Sequence, residues 1–460
     1  MATVGDHAVV LGASMSGLLA ARVLSDFYRT VTVVERDVLP AEPVNRRGIP
    51  QGRHVHALLG RGGQIIDEFF PGFLRELVDE GAITLDDGDF SKIYISFGGH
   101  VLVRSGFAQR TDAPMHLSSR PFLEYHVRRR LLAIPNVTIL DGHDVVDLIP
   151  TSDRTRVAGV QVASRADESE RQLTGDLVVD VMGRGSRTPA FLEGIGYERP
   201  AEDHVVMRIT YASQLMRIPP ADVERVVVIG AAPGRPRGMF LSSYENDQWM
   251  FTVWGMLGNE PPAELAGMLD FASDYAPPHV LAAVRAGEPL GEVVRHRMPS
   301  SQWRRYDKLR RFPDGLLVCG DAICSFNPVY GQGMTVGALD ALALRDCLRS
   351  GGQDLARRYF RKAAKSIAVA WQMAAGNDLA FPEVEGRRSM STRVANRCTD
   401  WVLGICSYDV VVAEKFFRVN NFLDSPIRLL HPAFIFRLAT ASRRRRRRDE
   451  LLPVAGQKVA

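Results

Sequence analysis

Residues 7–35 read HAVVLGASMSGLLAARVLSDFYRTVTVVE, and the order of apolar run, glycine turn, helix and second apolar run in this stretch decides the fold. Residues 7–11 have a short buried-strand pattern ending at Gly12, residues 18–24 continue with helical character, and residues 30–35 form a second buried strand. These pieces make a βαβ unit within about 30 residues. Gly12 permits the tight turn. Ser14, standing where the fingerprint's middle glycine is usual, lets a pyrophosphate approach. Gly17 lets the helix pack on the strand. Gly12, Ser14, Ser16 and Gly17 are therefore candidate cofactor-binding residues, with unpaired amides and a positive dipole end at the helix start. Glu35 lies about 20 residues on, at the end of the second strand, where a carboxylate accepts hydrogen bonds from ribose hydroxyls. The pattern points to a dinucleotide and does not choose between FAD and NAD.

A second stretch, residues 316–337, reads LLVCGDAICSFNPVYGQGMTVG. A buried strand ends at Gly320-Asp321, and a Pro- and Gly-rich loop leads into a helix. Asp321 is placed to bond a ribitol or ribose hydroxyl. The amides of Gly331, Gln332, Gly333 and Met334 sit at a helix start, where they can bind an oxygen carrying negative charge. The intervening chain reads as loop over 40–63, helix over 120–132, and strands over 137–140, 157–162 and 177–181. From 208 to 256 the pattern alternates and is rich in aromatics, with a hairpin turning at Glu245-Asn246-Asp247. Residues 226–238 (VVVIGAAPGRPRG) are read as a hairpin arm, because no helix follows to present amides to a second nucleotide. The expected organisation is a Rossmann-type α/β cofactor domain over 1–200 with local β insertions, and an inserted antiparallel sheet over 201–300 that carries the substrate. The chain then returns to the cofactor domain over 301–350, forms helices over 351–440, and ends in a basic flexible tail over 441–460.

A chain of 460 residues is long enough for two associated domains. The 57 Lys and Arg against 53 Asp and Glu include a run of six arginines at 443–448, so the folded body is close to neutral. A nucleic-acid partner needs a basic stripe instead. Five cysteines form no CxxC pair, which predicts reduced thiols. No apolar stretch is long enough to span a bilayer, and the start of the chain lacks a leader pattern, so a cytoplasmic location is expected. His54 and His56 could share a face of an extended segment, but no third ligand is nearby, so no metal is expected.

The stretch GD followed by P-x-x-G-x-G-M closely resembles the GD motif of FAD-dependent monooxygenases of the aromatic-hydroxylase class. That resemblance makes the dinucleotide FAD. It puts Asp321 at the ribityl–phosphate region, and Pro328, Gly331, Gln332 and Gly333 beside the flavin ring, with the amides through Met334 facing its pyrimidine edge. It also assigns Arg120, in SRPFLE, to the FAD, Arg36 to the adenine ribose, and Arg53 to a mobile-loop contact with flavin or nicotinamide. At the family's DG motif this chain has Asp180-Val181-Met182-Gly183, with methionine in place of the usual aspartate.

The resemblance implies NADPH or NADH as reductant, O2 as co-substrate, and oxygen insertion through a flavin C4a-hydroperoxide. The inserted sheet then roofs a cavity for a large hydrophobic substrate, lined by Met207, Phe240, Trp249, Phe251 and Trp254. The segments RRGIPQGRHVHALL (46–59), GASMSG and PEVEGRR (382–388) are similar to a bacterial subgroup that includes polyene epoxidases of polyether polyketide biosynthesis, distant relatives of squalene epoxidase. Epoxidation of an alkene is the favoured expectation. Aromatic hydroxylation and hydride delivery by a prenyl-chain reductase stay open, whereas the W-x-W-x-I-P signature of flavin halogenases is absent. A non-enzymatic protein touching a membrane surface through the arginine run is the remaining reading.

Overall fold

Five strands with apolar side chains on both faces can only be buried on both sides, which favours a parallel sheet between two covering layers. In the computed structural model, which describes residues 3–107, 114–219 and 223–451, these strands lie in the order Leu316–Val318, Leu177–Asp180, Gly5–Leu11, Tyr28–Val34 and Val137–Leu140. All four pairings are parallel. Val9, Val10, Val31, Val33, Val178 and Val179 are wholly buried. Helices Met15–Leu24, Arg120–Leu132 and Gly333–Leu348 join them in one continuous core. An antiparallel meander of His143–Pro150, Val157–Ser164 and Glu170–Thr174 adds Leu148, Val157, Val160 and Val162 to that core. The helix expected over 120–132 has those bounds because Ser119 caps it, its side chain accepting from the Phe122 amide at 3.3 Å, and Pro121 follows in the first turn.

The second sheet has nine strands and draws on three separated parts of the chain. Glu202–Arg217, Val226–Ile229, Arg237–Ser243, Gln248–Gly255 and Val294–Arg304 supply its body. Ile93–Phe97 extends it by pairing in parallel with Val226–Ile229, and Cys324–Ser325 pairs with Gln302 and Trp303 on the opposite side. Asn246 and Asp247 have φ of 58° and 54°, the two left-handed positions that a tight primed hairpin turn requires. Val226–Ile229 and Arg237–Ser243 pair antiparallel, so residues 226–238 form a hairpin.

Strand alternation divides the five apolar residues expected to line one cavity. Met207, Phe240 and Trp254 gather on the inner face with Tyr211, Val55 and Val329. Trp249 and Phe251 point the other way and pack with Met239 and Val253 against helices Leu265–Ala272 and Pro278–Ala286. They belong to the core behind the sheet, and the odd numbering of 249, 251 and 253 against the even 254 carries that signal.

After the return through Leu316–Val318, helices Leu355–Asp378, Met390–Cys406, Val410–Asn420 and Pro432–Leu451 complete the chain. The helices beyond 390 lean on the outer sheet strands through Val402, Leu403, Ile405, Val412 and Leu438 against Ile93, Ile95 and Leu102. The arginine run, expected in a flexible tail, lies on the last helix, which extends to Leu451; residues 452–460 fall outside the described residues.

Phe251 is completely buried behind the sheet. Phe251→Ala should therefore cost roughly 3–5 kcal/mol of stability without changing which small molecules bind the inner face. Urea denaturation of the variant checks this, and an unchanged midpoint would contradict the assignment.

Candidate active site

Each parallel strand ends at the same edge of the sheet, and that edge gathers Gly12, Glu35, Asp180, Gly320 and Asp321. Ligands bind at this carboxyl edge in open α/β sheets. Gly12 has φ of 108°, and a Cβ on Gly17 would lie 1.9 Å from the Gly12 carbonyl oxygen, so the turn and the helix behind it need both glycines. Helix Met15–Leu24 begins at Ser14 and helix Gly333–Leu348 at Gln332. Neither has a side-chain cap or an acidic residue in its first turn, so both offer unpaired amides to an outside acceptor. The two starts are locked together at Ser16, whose Oγ would lie 2.7 Å from a Cβ on Gly320 and 2.2 Å from one on Gly337.

Arg120 enters this cradle from its own helix start. It is 5% exposed, and its Nη2 donates to Ser14 Oγ and to Glu124 Oε2, both at 2.8 Å. Its Nη1 is buried with no partner, a donor set toward the cradle that an anionic or oxygen-rich ligand would satisfy. Glu124 also accepts from Arg46 Nε at 2.9 Å. Arg46 in turn reaches Glu35 Oε1 and Asp37 Oδ2, both at 3.0 Å, and the Ala13 carbonyl at 3.1 Å. Glu35 Oε2 accepts from the Ala13 amide at 2.8 Å, so this carboxylate stands at the end of its strand and ties the glycine turn to Arg46. The sequence reading missed Arg46; its only signal was the paired arginines opening the 46–59 segment.

Asp321 is exposed at this strand edge while protein crowds it on its other sides. Burial pushes its carboxyl up to about 6, and the guanidiniums of Arg120 and Arg184 pull it back down. Arg184, also missed, donates to the Ser300 carbonyl at 2.6 Å and Ser325 Oγ at 2.7 Å, and so braces the loop beneath Asp321. Gly333 sits beside Asp321 at the helix start, and Met334 follows it, half-buried. Pro328 is exposed, Gly331 is left-handed with φ of 64°, and Gln332 is buried with Oε1 unpartnered. Asp180 is wholly buried: it accepts from the Met182 amide at 2.8 Å and from the Ser186 hydroxyl, and so shapes its own turn. Arg36 is 60% exposed and lies 3.8 Å from Asp144, and Arg53 is exposed; neither is drawn into the Arg120–Asp321 group.

Beside the Pro328 loop, the inner face of the large sheet carries a polar chain that the sequence reading did not find. His54 Nδ1 lies 2.7 Å from Ser213 Oγ, which lies 2.7 Å from Thr252 Oγ1. His54 Nε2 is buried and unpartnered. Burial, with His296 and His56 nearby, lowers the His54 imidazole to about 3, so it is neutral near pH 7. His56 turns aside, with Nδ1 on the His54 carbonyl, so the two rings do not form a ligand pair. A second chain runs from the Tyr211 hydroxyl to Asn327 Oδ1 (3.0 Å), and from Asn327 Nδ2 to Asp378 Oδ1 (2.9 Å). The Tyr330 hydroxyl donates to the same Asp378 oxygen at 2.8 Å. Burial raises the Asp378 carboxyl to about 7, while the two donors lower it. The hydroxyls and the histidine lie more than 150 residues apart, so only the folded sheet assembles them.

No protein-family model matches the chain. It is 41% identical over 430 residues to Protein Rv3254 of Mycobacterium tuberculosis, covering 91% of this chain and 90% of that one. It is 24% identical over 373 residues to kynurenine 3-monooxygenase of Salinispora tropica, covering 75% and 72%. Among solved structures, the flavin-dependent brominase Bmp2 superposes with a TM-score of 0.66 at 13% identity, over 96% of this chain and 100% of its own. The p-nitrophenol 4-monooxygenase PnpA of Pseudomonas putida gives 0.64 at 17%, over 91% and 97%. The chain belongs to the family of Protein Rv3254, and its fold is that of flavin-dependent monooxygenases.

Two outcomes follow from the cradle and from the buried acid. Arg120→Met removes a charge-assisted donor and should weaken FAD binding roughly 10- to 100-fold, measured by quenching of FAD fluorescence on titration with apoprotein. Asp378 has a folded-state value of about 7 against 3.8 for the free group. Its contribution to stability is therefore lost as pH rises from about 4 to about 7 and is constant above that. Asp378→Asn keeps an acceptor for Asn327 and Tyr330 and should flatten that part of the stability–pH curve, read from urea midpoints.

Proposed function

We propose that this chain is an FAD-dependent monooxygenase that inserts one atom of O2 into an organic substrate, with NADPH or NADH as reductant. The observation that carries the reading is the joining of two uncapped helix starts, Ser14 and Gln332, beside Arg120 and Asp321. When bound, FAD supplies the two-electron chemistry that takes up reducing equivalents and activates O2. The protein's own residues do the rest. Arg120 and the amides after Ser14 hold the diphosphate, Asp321 takes a ribityl hydroxyl, and the amides of Gly331 to Met334 face the ring. The fold neighbours and the kynurenine 3-monooxygenase relative support this assignment. Two electrons from the nicotinamide and one O2 give an oxygenated product and water.

Two finer readings differ in what the inner face must do. Met207, Phe240 and Trp254 make an apolar wall that excludes water. Such a wall suits a large polyene or polyketide, whose alkene needs no base because the π bond is itself the nucleophile. Epoxidation is the reading that the sequence resemblance supports. Hydroxylation is supported by the chain from Thr252 and Ser213 to His54. A neutral imidazole whose Nδ1 is engaged by Ser213 can present its unpartnered Nε2 as a hydrogen-bond acceptor and so hold and orient the hydroxyl of a phenolic substrate.

Turnover under 18O2 with reduced nicotinamide tests both levels. One labelled oxygen in the product is the expected result; a saturated, unlabelled product would instead assign hydride delivery to an alkene. His54→Leu then separates the finer readings. It should lower turnover of a phenol by about 10- to 100-fold through the lost hydrogen bond and leave an alkene's epoxidation within a few-fold of wild type.

A further inference from the structure

The described chain exposes its large apolar side chains unevenly. Met390, Val394, Trp401, Tyr408, Val411, Ile427, Leu430, Ile435 and Phe436 all lie in the C-terminal segment of helices and their connecting turns, against Val38, Val44, Val101 and Leu132 elsewhere. Ile427, Leu430 and Phe436 are each about 70% exposed and fall within ten residues of sequence. The last helix is two-sided: Leu438 and Ala441 are buried against the sheet strands, whereas Ile435, Phe436 and Arg443 face outward. On helix Met390–Cys406, Met390, Val394 and Trp401 share one exposed stripe at helical spacing. Trp401 Nε1 donates to Ser442 Oγ at 3.0 Å, which joins that stripe to the last helix where the arginine run begins.

Charge is distributed just as unevenly. Residues 387–448 hold fourteen Lys and Arg against four Asp and Glu. The whole chain is only +4, so the remainder carries a net negative charge. A surface that is apolar and strongly basic together matches one partner chemistry well. Nucleic acid would use the charge but not the exposed apolar groups. A second copy docking by the same face would set one basic segment against another. An anionic lipid surface takes both, the apolar side chains entering the headgroup boundary while the arginines meet lipid phosphates. No helix among the described residues is long and apolar enough to cross a membrane, so the contact is with its surface.

We propose that the C-terminal helices, through Trp401, Ile427, Leu430, Ile435, Phe436 and the arginines at 443–448, dock this protein on anionic membrane surfaces. The inference is independent of the enzymatic reading. It is tested by flotation of the full-length FAD-loaded protein with phosphatidylcholine vesicles with and without phosphatidylglycerol. The expected result is binding only when phosphatidylglycerol is present, reversed by high salt. Replacing Ile435 and Phe436 by Asp, or all six arginines by Gln, should each lower binding at least tenfold, a rough figure given about fivefold per arginine, with FAD absorbance unchanged. Failure to float with anionic vesicles, or equal binding to neutral ones, would overturn the proposal. So would a dimer in sedimentation velocity that the Ile435/Phe436 variant dissociates while neither protein floats. A variant that loses FAD would be replaced by the arginine variant, none of whose substitutions falls among the residues assigned to FAD.

Discussion

The site depends on how closely two helix starts can approach each other around Ser16. Gly320 and Gly337 leave room for its hydroxymethyl group, and a Cβ at either position would fall well inside contact distance. That fit brings the helix after residue 14 and the helix after residue 332 to one edge of one sheet, although about 300 residues separate them in sequence. Two positive helix ends facing one cleft repel each other weakly and attract an anion strongly. The protein holds them together by packing, and Arg46 and Arg120 with Glu35 and Glu124 neutralise one another beside them.

Several titratable groups are held away from their usual charge balance. Asp340 and Asp378 are interior carboxyls raised by burial, Asp321 is raised by the protein packed around it although it is exposed at the strand edge, and His54 is an imidazole held neutral by burial. Asp340 accepts from the Gly320 amide at 3.0 Å and so fixes the turn that aims Asp321. Perturbed titratable groups of this kind cluster where chemistry or binding requires them. Here they form two groups, one around the glycine turns and one on the inner sheet face, joined through the loop at Asn327 to Gly331.

Local pattern carried much of the cofactor domain. The strand, glycine turn and second strand of residues 7–35, the capped helix at Ser119 and the strand before Gly320 all signal themselves within a few residues, because their geometry is set by neighbours in sequence. What was not legible is what the fold assembles from afar. Arg46 reaches Glu124 across 78 residues, and His54 reaches Ser213 across 159. No spacing rule joins such residues. The division of Trp249 and Phe251 from Trp254 was legible in principle, since a strand's period of two assigns the faces, and it was lost by reading aromatic content without parity.

The large sheet is stitched from residues near 95, from 202–304 and from 324–325, and the parallel sheet closes only when Leu316–Val318 joins Leu177–Asp180. During synthesis, both sheets must therefore wait, with raw hydrogen-bonding edges, until more than two-thirds of the chain has left the ribosome. Such long-range closure makes folding slow. A nascent chain of this design needs shelter during that interval, so chaperone supply rather than final stability should govern how much soluble protein a host cell yields.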